Sequence, residues 1–122
     1  MPDPPTRRLP GGVLETSLSG KVSVATLDGM FRARAAAGNP PTWLIDATAA
    51  TGYEPQAINR AVGLFREAAG RDLRVLVAAV ADPIVRMGAQ TVRFSVKLLH
   101  PALRFELVDS LDAAIALLAR LD

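Results

Sequence analysis

The run Leu73-Arg74-Val75-Leu76-Val77-Ala78-Ala79-Val80 is continuous, apolar and rich in β-branched residues. It has the length of a strand and falls far short of the roughly 20 apolar residues that cross a bilayer. A second run, Thr42-Trp43-Leu44-Ile45-Asp46, has the same nearly unbroken apolar character. Runs of this kind belong to central strands buried on both faces. Their faces must be covered by other elements, and the segments around them carry helical periodicity.

Ser23 is a candidate N-cap for a first helix, in which Val24, Leu27, Phe31 and Ala35 recur at helical spacing and Arg32 and Arg34 fall off the stripe. Gly38-Asn39-Pro40-Pro41 stops it. Glu54-Pro55 opens a second helix with Ile58, Val62, Phe65 and Ala69 on its apolar side and Gly70 at its end. Asp82-Pro83 starts a third, with Val85, Ala89, Val92, Val96 and Leu99 as its buried stripe, ended by His100-Pro101. Phe105 to Val108 alternates as a last strand, and Ser110 caps a final helix with Leu111, Ile115 and Leu118 on one face. Near the start, Val13 to Leu18 reads as a modest strand, Ser19-Gly20 as a turn, and Lys21 to Val24 as a short returning strand or a lead into the helix. Ala47 to Tyr53 is small and polar, the composition of a loop hinged at Gly52. Strands alternating with helices imply parallel crossovers and a sheet packed by helices.

A chain of 122 residues fits one domain and can fold without staples. Residues 1–11, proline-rich and polar, read as a flexible lead-in, and residues 12–122 as the domain. There is no cysteine, which removes disulfides and thiolate metal sites. No apolar segment follows Arg7-Arg8 in the manner of a signal peptide, so a cytoplasmic setting is expected. A formal charge of +2, with no aromatic residues interleaved among the basic ones, gives no footprint for nucleic acid.

Several stretches resemble the STAS family, and its SpoIIAA-like branch in particular. They are the strand Trp43-Leu44-Ile45-Asp46, the helix start Gly52-Tyr53-Glu54-Pro55, the strand from Leu73, the Asp82-Pro83 helix, Arg104-Phe105-Glu106-Leu107, and Ser110-Leu111-Asp112-Ala113-Ala114. The resemblance implies an α/β fold with a mixed, mostly parallel sheet of four to five strands and four helices packed largely on one side. It also implies a non-enzymatic role in partner exchange. Members of this kind carry a phosphorylatable Ser or Thr at the start of the second helix, where this chain has Gln56. Glutamine cannot accept phosphate, which puts the phospho-switch in doubt at that residue.

Nothing in the sequence foreshadows catalysis, a cofactor or a metal. His100, the only histidine, stands at a helix end without a partner at ligand spacing, and reads as structural. No nucleophile elbow and no glycine-rich phosphate loop is present. Thr48, Thr51 and Gly52 precede a helix N-terminus, where an anion would be favoured; Glu54 at the same terminus is better read as its cap. Arg86, Gln90, Arg93 and Lys97 share one face of the third helix, either as a solvated surface or as a docking strip for an acidic protein or anionic membrane. Ile84, Met87, Phe94 and Leu98 are apolar outside the buried stripe of that helix. They imply extra burial within the monomer, or an exposed patch favouring a homodimer or a lipid-like ligand. The leading expectation is a regulatory protein partner bound through Tyr53, Glu54, Gln56, Asn59 and Arg60, with Arg86 and Arg93 as a second patch. The alternative is a binding protein for a small apolar or lipid-like ligand at a membrane surface.

Overall fold

A computed structural model describes residues 3–121. Strand β1 (Thr6–Arg8) and a 3-10 turn (Pro10–Gly12) lead into β2 (Leu14–Val22) and helix α1 (Val24–Ala36). Then follow β3 (Thr42–Tyr53), α2 (Pro55–Ala69), β4 (Val75–Val80), α3 (Pro83–Leu99), β5 (Arg104–Val108) and α4 (Leu111–Arg120). The strands lie side by side in chain order, β1 antiparallel to β2 and all other neighbours parallel. Right-handed crossovers between strands in this order place every connecting helix on the same face. Accordingly α1, α2 and α3 cover one face, and α4, which follows the last strand, packs on the other.

Where β3 and β4 pair with each other, they divide their residues between the two faces by alternation. Trp43 and Ile45 of β3, with Leu76, Ala78 and Val80 of β4, enter the core under α1–α3. Leu44, Val77 and Ala79 pack with Ala114 of α4 on the opposite side. Burial on both faces is why these strands read as unbroken apolar runs. Trp43 anchors the larger core. Its ring meets Phe31 edge-on at 5.0 Å, Phe65 lies 5.8 Å away, and its indole N–H donates to Thr16 Oγ1 at 2.9 Å.

The helix starts follow their capping residues. Ser23 and Thr26 form a reciprocal capping box on α1, Asp82 accepts from the amides of Ile84 and Val85, and Ser110 accepts from Ala113. Each satisfies amides that the first helical turn leaves without partners.

Four expectations change. The lead-in expected over 1–11 contains an edge strand: Thr6, Arg7 and Arg8 pair with Thr16, Glu15 and Leu14. Gly11 and Gly12, at φ 85° and 80°, turn the chain back on itself, and an outer strand tolerates the flanking prolines and charges. Met1, Pro2 and Asp122 lie outside the described residues. Ser19-Gly20 is not a turn; β2 runs through it with Gly20 at φ 67°, and the register shifts against β3 there, where Thr51 is the extra residue. Ala47 to Tyr53 is not a loop, because β3 continues alongside β2 beyond the end of β4, as far as the Val22–Tyr53 pair. Finally, the buried rows differ from the expected stripes: α1 buries Leu27, Gly29, Met30 and Arg34, α2 buries Ala57, Ala61, Phe65 and Ala68, and Leu99 of α3 is exposed.

Candidate functional site

Because β2 and β3 end together, α1 and α2 begin side by side. Glu54 sits between them. Its amide donates to Val22 O at 2.9 Å, and its carboxylate accepts from the Val24 amide at 3.0 Å. Glu54 therefore caps α1 across the gap and makes no side-chain cap on α2, the helix it precedes. The carboxylate also lies in the positive field of the α1 terminus. Removing it in Glu54→Ala is expected to lower stability by about 1 kcal/mol. In hydrogen exchange the Val24 amide should lose protection before the sheet does; unchanged protection there would contradict the cap.

The residues weighed as an anion cradle, and set aside in favour of a cap, are engaged in the sheet. Thr48 is tied to its own strand through Asp46 Oδ1 at 2.6 Å, and Gly52 pairs with Lys21 in the sheet. Gln56 and Asn59 are exposed at the start of α2, and Arg60 pairs with Asp28 of α1 at 2.7 Å. Tyr53, half-buried at the end of β3, leans over α3 at Gly88. The structure thus brings Tyr53, Glu54, Gln56, Asn59 and Arg60 to one end of the molecule.

Arg86 and Arg93 do not join them. Arg86 donates to Val80 O at 2.9 Å and pairs with Asp109, while Arg93 Nε donates to Phe105 O at 2.6 Å and approaches Glu106 at 3.7 Å. Both guanidinium groups fasten α3 to β5 and its end, so the second cationic patch is a set of intramolecular ties.

The apolar residues in excess of the α3 stripe prove to be surface. Ile84, Met87, Phe94 and Leu98 are 57%, 62%, 66% and 65% exposed. With Thr91 they form a row at spacings of three and four along the outer side of the helix. α3 therefore has three sectors: a core row, a basic row against β5, and a bare apolar row. At the α2-facing side of α3 lies an apolar cavity of about 110 Å³, walled by side chains of the sheet and of the three covering helices.

Two buried charges escaped the sequence reading. Arg34 is 2% exposed, with its guanidinium 2.8 Å from Asp72 and 2.9 Å from Pro40 O. Glu15 is buried in β2 and accepts from exposed Arg7 at 2.7 Å. That hydrogen bond and charge hold Arg7 above its ordinary pKa, as Asp3 does for Arg32. Among the described residues no group of three or more His, Asp or Glu converges on a metal-sized space, and no helix is long and apolar enough to cross a membrane.

No family model and no curated protein matches the sequence. Among solved structures, an uncharacterised protein of the DUF3478 family with a SpoIIAA-like fold, from Shewanella loihica PV-4, superposes with a TM-score of 0.63. The two share 14% identity over 94% of this chain and 91% of that one. At that identity the likeness concerns the fold alone, and the topology agrees with it: the chain carries a SpoIIAA-like fold, a five-stranded, mostly parallel sheet with α1–α3 on one face and α4 on the other.

Proposed function

We propose that the chain is a non-enzymatic regulatory module that binds a protein partner through the start of α2 and the outer face of α3. The observation that carries this reading is the bare row of Ile84, Met87, Phe94 and Leu98, each more than half exposed. Single exposed apolar residues are ordinary, but a contiguous row on one helix marks an interaction surface. The row runs beside Tyr53, which joins it to the α2 start. Aromatic, methionine and leucine side chains suit the desolvated centre of such a contact, and Gln56, Asn59 and Arg60 suit its polar rim. At Gln56, exposed where the family carries its phosphate acceptor, there is no hydroxyl to esterify. The module is thus fixed in one state at that residue, and control is left to the partner. A cytoplasmic setting belongs to this reading.

Arg86 is unsuited to a surface test, because reversing it would detach α3 from β5. A Met87→Asp/Phe94→Asp variant avoids that fault. In affinity capture from the native host, the partner retained by the wild-type chain should fall at least tenfold with the variant, at unchanged circular dichroism and melting temperature. Equal recovery by the two proteins would place the contact elsewhere and remove the proposal's support.

A further inference from the structure

We infer that the cavity between the sheet and helices α2 and α3 is a binding site for a small neutral apolar molecule, of the size of a single aromatic ring or a short alkyl group, that enters past Tyr53. The inference stands apart from the protein-partner reading, since it concerns the inside of the core and not the outer face of α3.

Protein interiors are packed as densely as organic crystals, and voids larger than a water molecule are few. Here the space is about 110 Å³. It does not arise from one undersized side chain. Ala57 and Ala61 of α2, Ala78 of β4, and Gly88 and Ala89 of α3 all turn toward it from separate elements. Nor is the core loosely packed throughout: Trp43, Phe31 and Phe65 meet in tight edge-on and tilted contacts 4.9–5.8 Å apart. The opening is confined to the place where small residues converge.

The chemistry of the walls selects the occupant. The lining is almost wholly carbon, and buried water needs two to four polar partners. An apolar cavity of roughly 150 Å³ stays free of water and accepts benzene or xenon. The present cavity is of the same order and suits a ligand on that scale, with no charge and no strong hydrogen-bonding group.

Access lies at Tyr53. Its ring lines both the cavity and a hollow of about 420 Å³ on the surface between Met87 and Phe94, so it is the partition between inside and outside. Gly88 makes that placement possible. A Cβ at position 88 would lie 2.7 Å from Tyr53 Cε1 and 2.9 Å from Ile58 Cδ1. The absent side chain lets the tyrosine ring and the Ile58 methyl rest directly on the α3 backbone as a closure. Entry by this route calls for rotation of one half-buried ring, a side-chain event and not a domain motion.

Benzene and xenon, titrated separately into isotope-labelled protein, test the inference. The expected result is saturable shifts at the Ala61, Ala78 and Gly88 amides with a rise in melting temperature. Ala61→Leu and Ala78→Leu, each filling the space from a different wall, should weaken benzene at least tenfold. Ile84→Asp/Leu98→Asp, on the same outer row but away from that hollow, should weaken partner capture and leave benzene affinity within twofold, so failure here and failure of the partner surface are read separately. Shifts that grow linearly to the solubility limit would overturn the inference. So would filled variants that respond like the wild type, or a filled variant that melts higher while the wild type binds neither probe, which is the behaviour of a packing defect. If one filled variant does not fold, the other decides; if neither folds, the wild-type titrations do.

Discussion

Trp43→Ala is expected to destabilise the protein by about 3–5 kcal/mol, the largest effect of any single change considered. Trp43 is 0% exposed and stands where β3, α1 and α2 meet. Truncation removes its packing against Phe31 and Phe65, and Phe65 in turn supports Phe105 of β5 at 6.0 Å. It also strips Thr16, itself fully buried, of the indole N–H at 2.9 Å, although Thr6 Oγ1 remains within 3.2 Å. A domain of this kind has only about 5–15 kcal/mol in total. Urea unfolding followed by far-UV circular dichroism is the appropriate measurement, since the mutation removes the only tryptophan. Trp43→Phe keeps a ring and gives up the N–H, and should cost about half as much or less. A loss below 1 kcal/mol for the alanine variant would mean that the aromatic cluster is not the keystone described.

Arg34→Ala is expected to cost about 2–4 kcal/mol. The guanidinium group closes the α1–β3 connection against the α2–β4 connection: one nitrogen reaches both Asp72 and the Pro40 carbonyl, and the plane lies 5.4 Å over the Trp43 ring. The figure is set below that for a wholly buried pair because Asp72 is 37% exposed in its side chain and can be rehydrated when the arginine is gone. Lysine should rescue only part of the loss, since an ammonium could reach the acceptors but has no planar group to lay over the Trp43 ring. Pairing Arg34→Met with Asp72→Asn should be milder than Arg34→Met alone, because no charge is then left without its partner. A double variant whose loss equals the sum of the two single-variant losses would show that the ion pair carries no coupling.

Much of the fold is legible in the chain because its signals are local. Ser23, Asp82 and Ser110 each cap the helix that follows them, and a cap is set by residues within one turn. The alternation of strands and helices also holds, because each crossover is a short-range unit. Local signals fail where a partner is distant. Arg34 looks like a surface residue on helical periodicity, yet its counter-charge lies 38 positions away. Glu54 looks like the cap of its own helix, and serves α1 because β2 and β3 end in register. Ala49, Ala50 and Gly52 have the composition of a loop, and are held extended by pairing with β2 along an otherwise unsupported stretch. At the candidate site, the surplus of apolar residues on α3 is visible in the sequence; that the row faces outward follows from where α2 and β5 stop covering it.

The order of strands in the sheet has a consequence for synthesis. Each strand from β2 to β5 lies beside the one made just before it, so every β–α unit can dock as it leaves the ribosome, without waiting for distant sequence. The exception is the far side of the sheet, where Leu44, Val77 and Ala79 are covered by Ala114 and its neighbours in α4, which follows all five strands in the chain. Until α4 emerges, a chain with its whole sheet already assembled presents a bare apolar strand surface, the kind of exposure that chaperones and proteases act upon. A chain stopped before Leu111 would keep that surface permanently, whatever the quality of its other half.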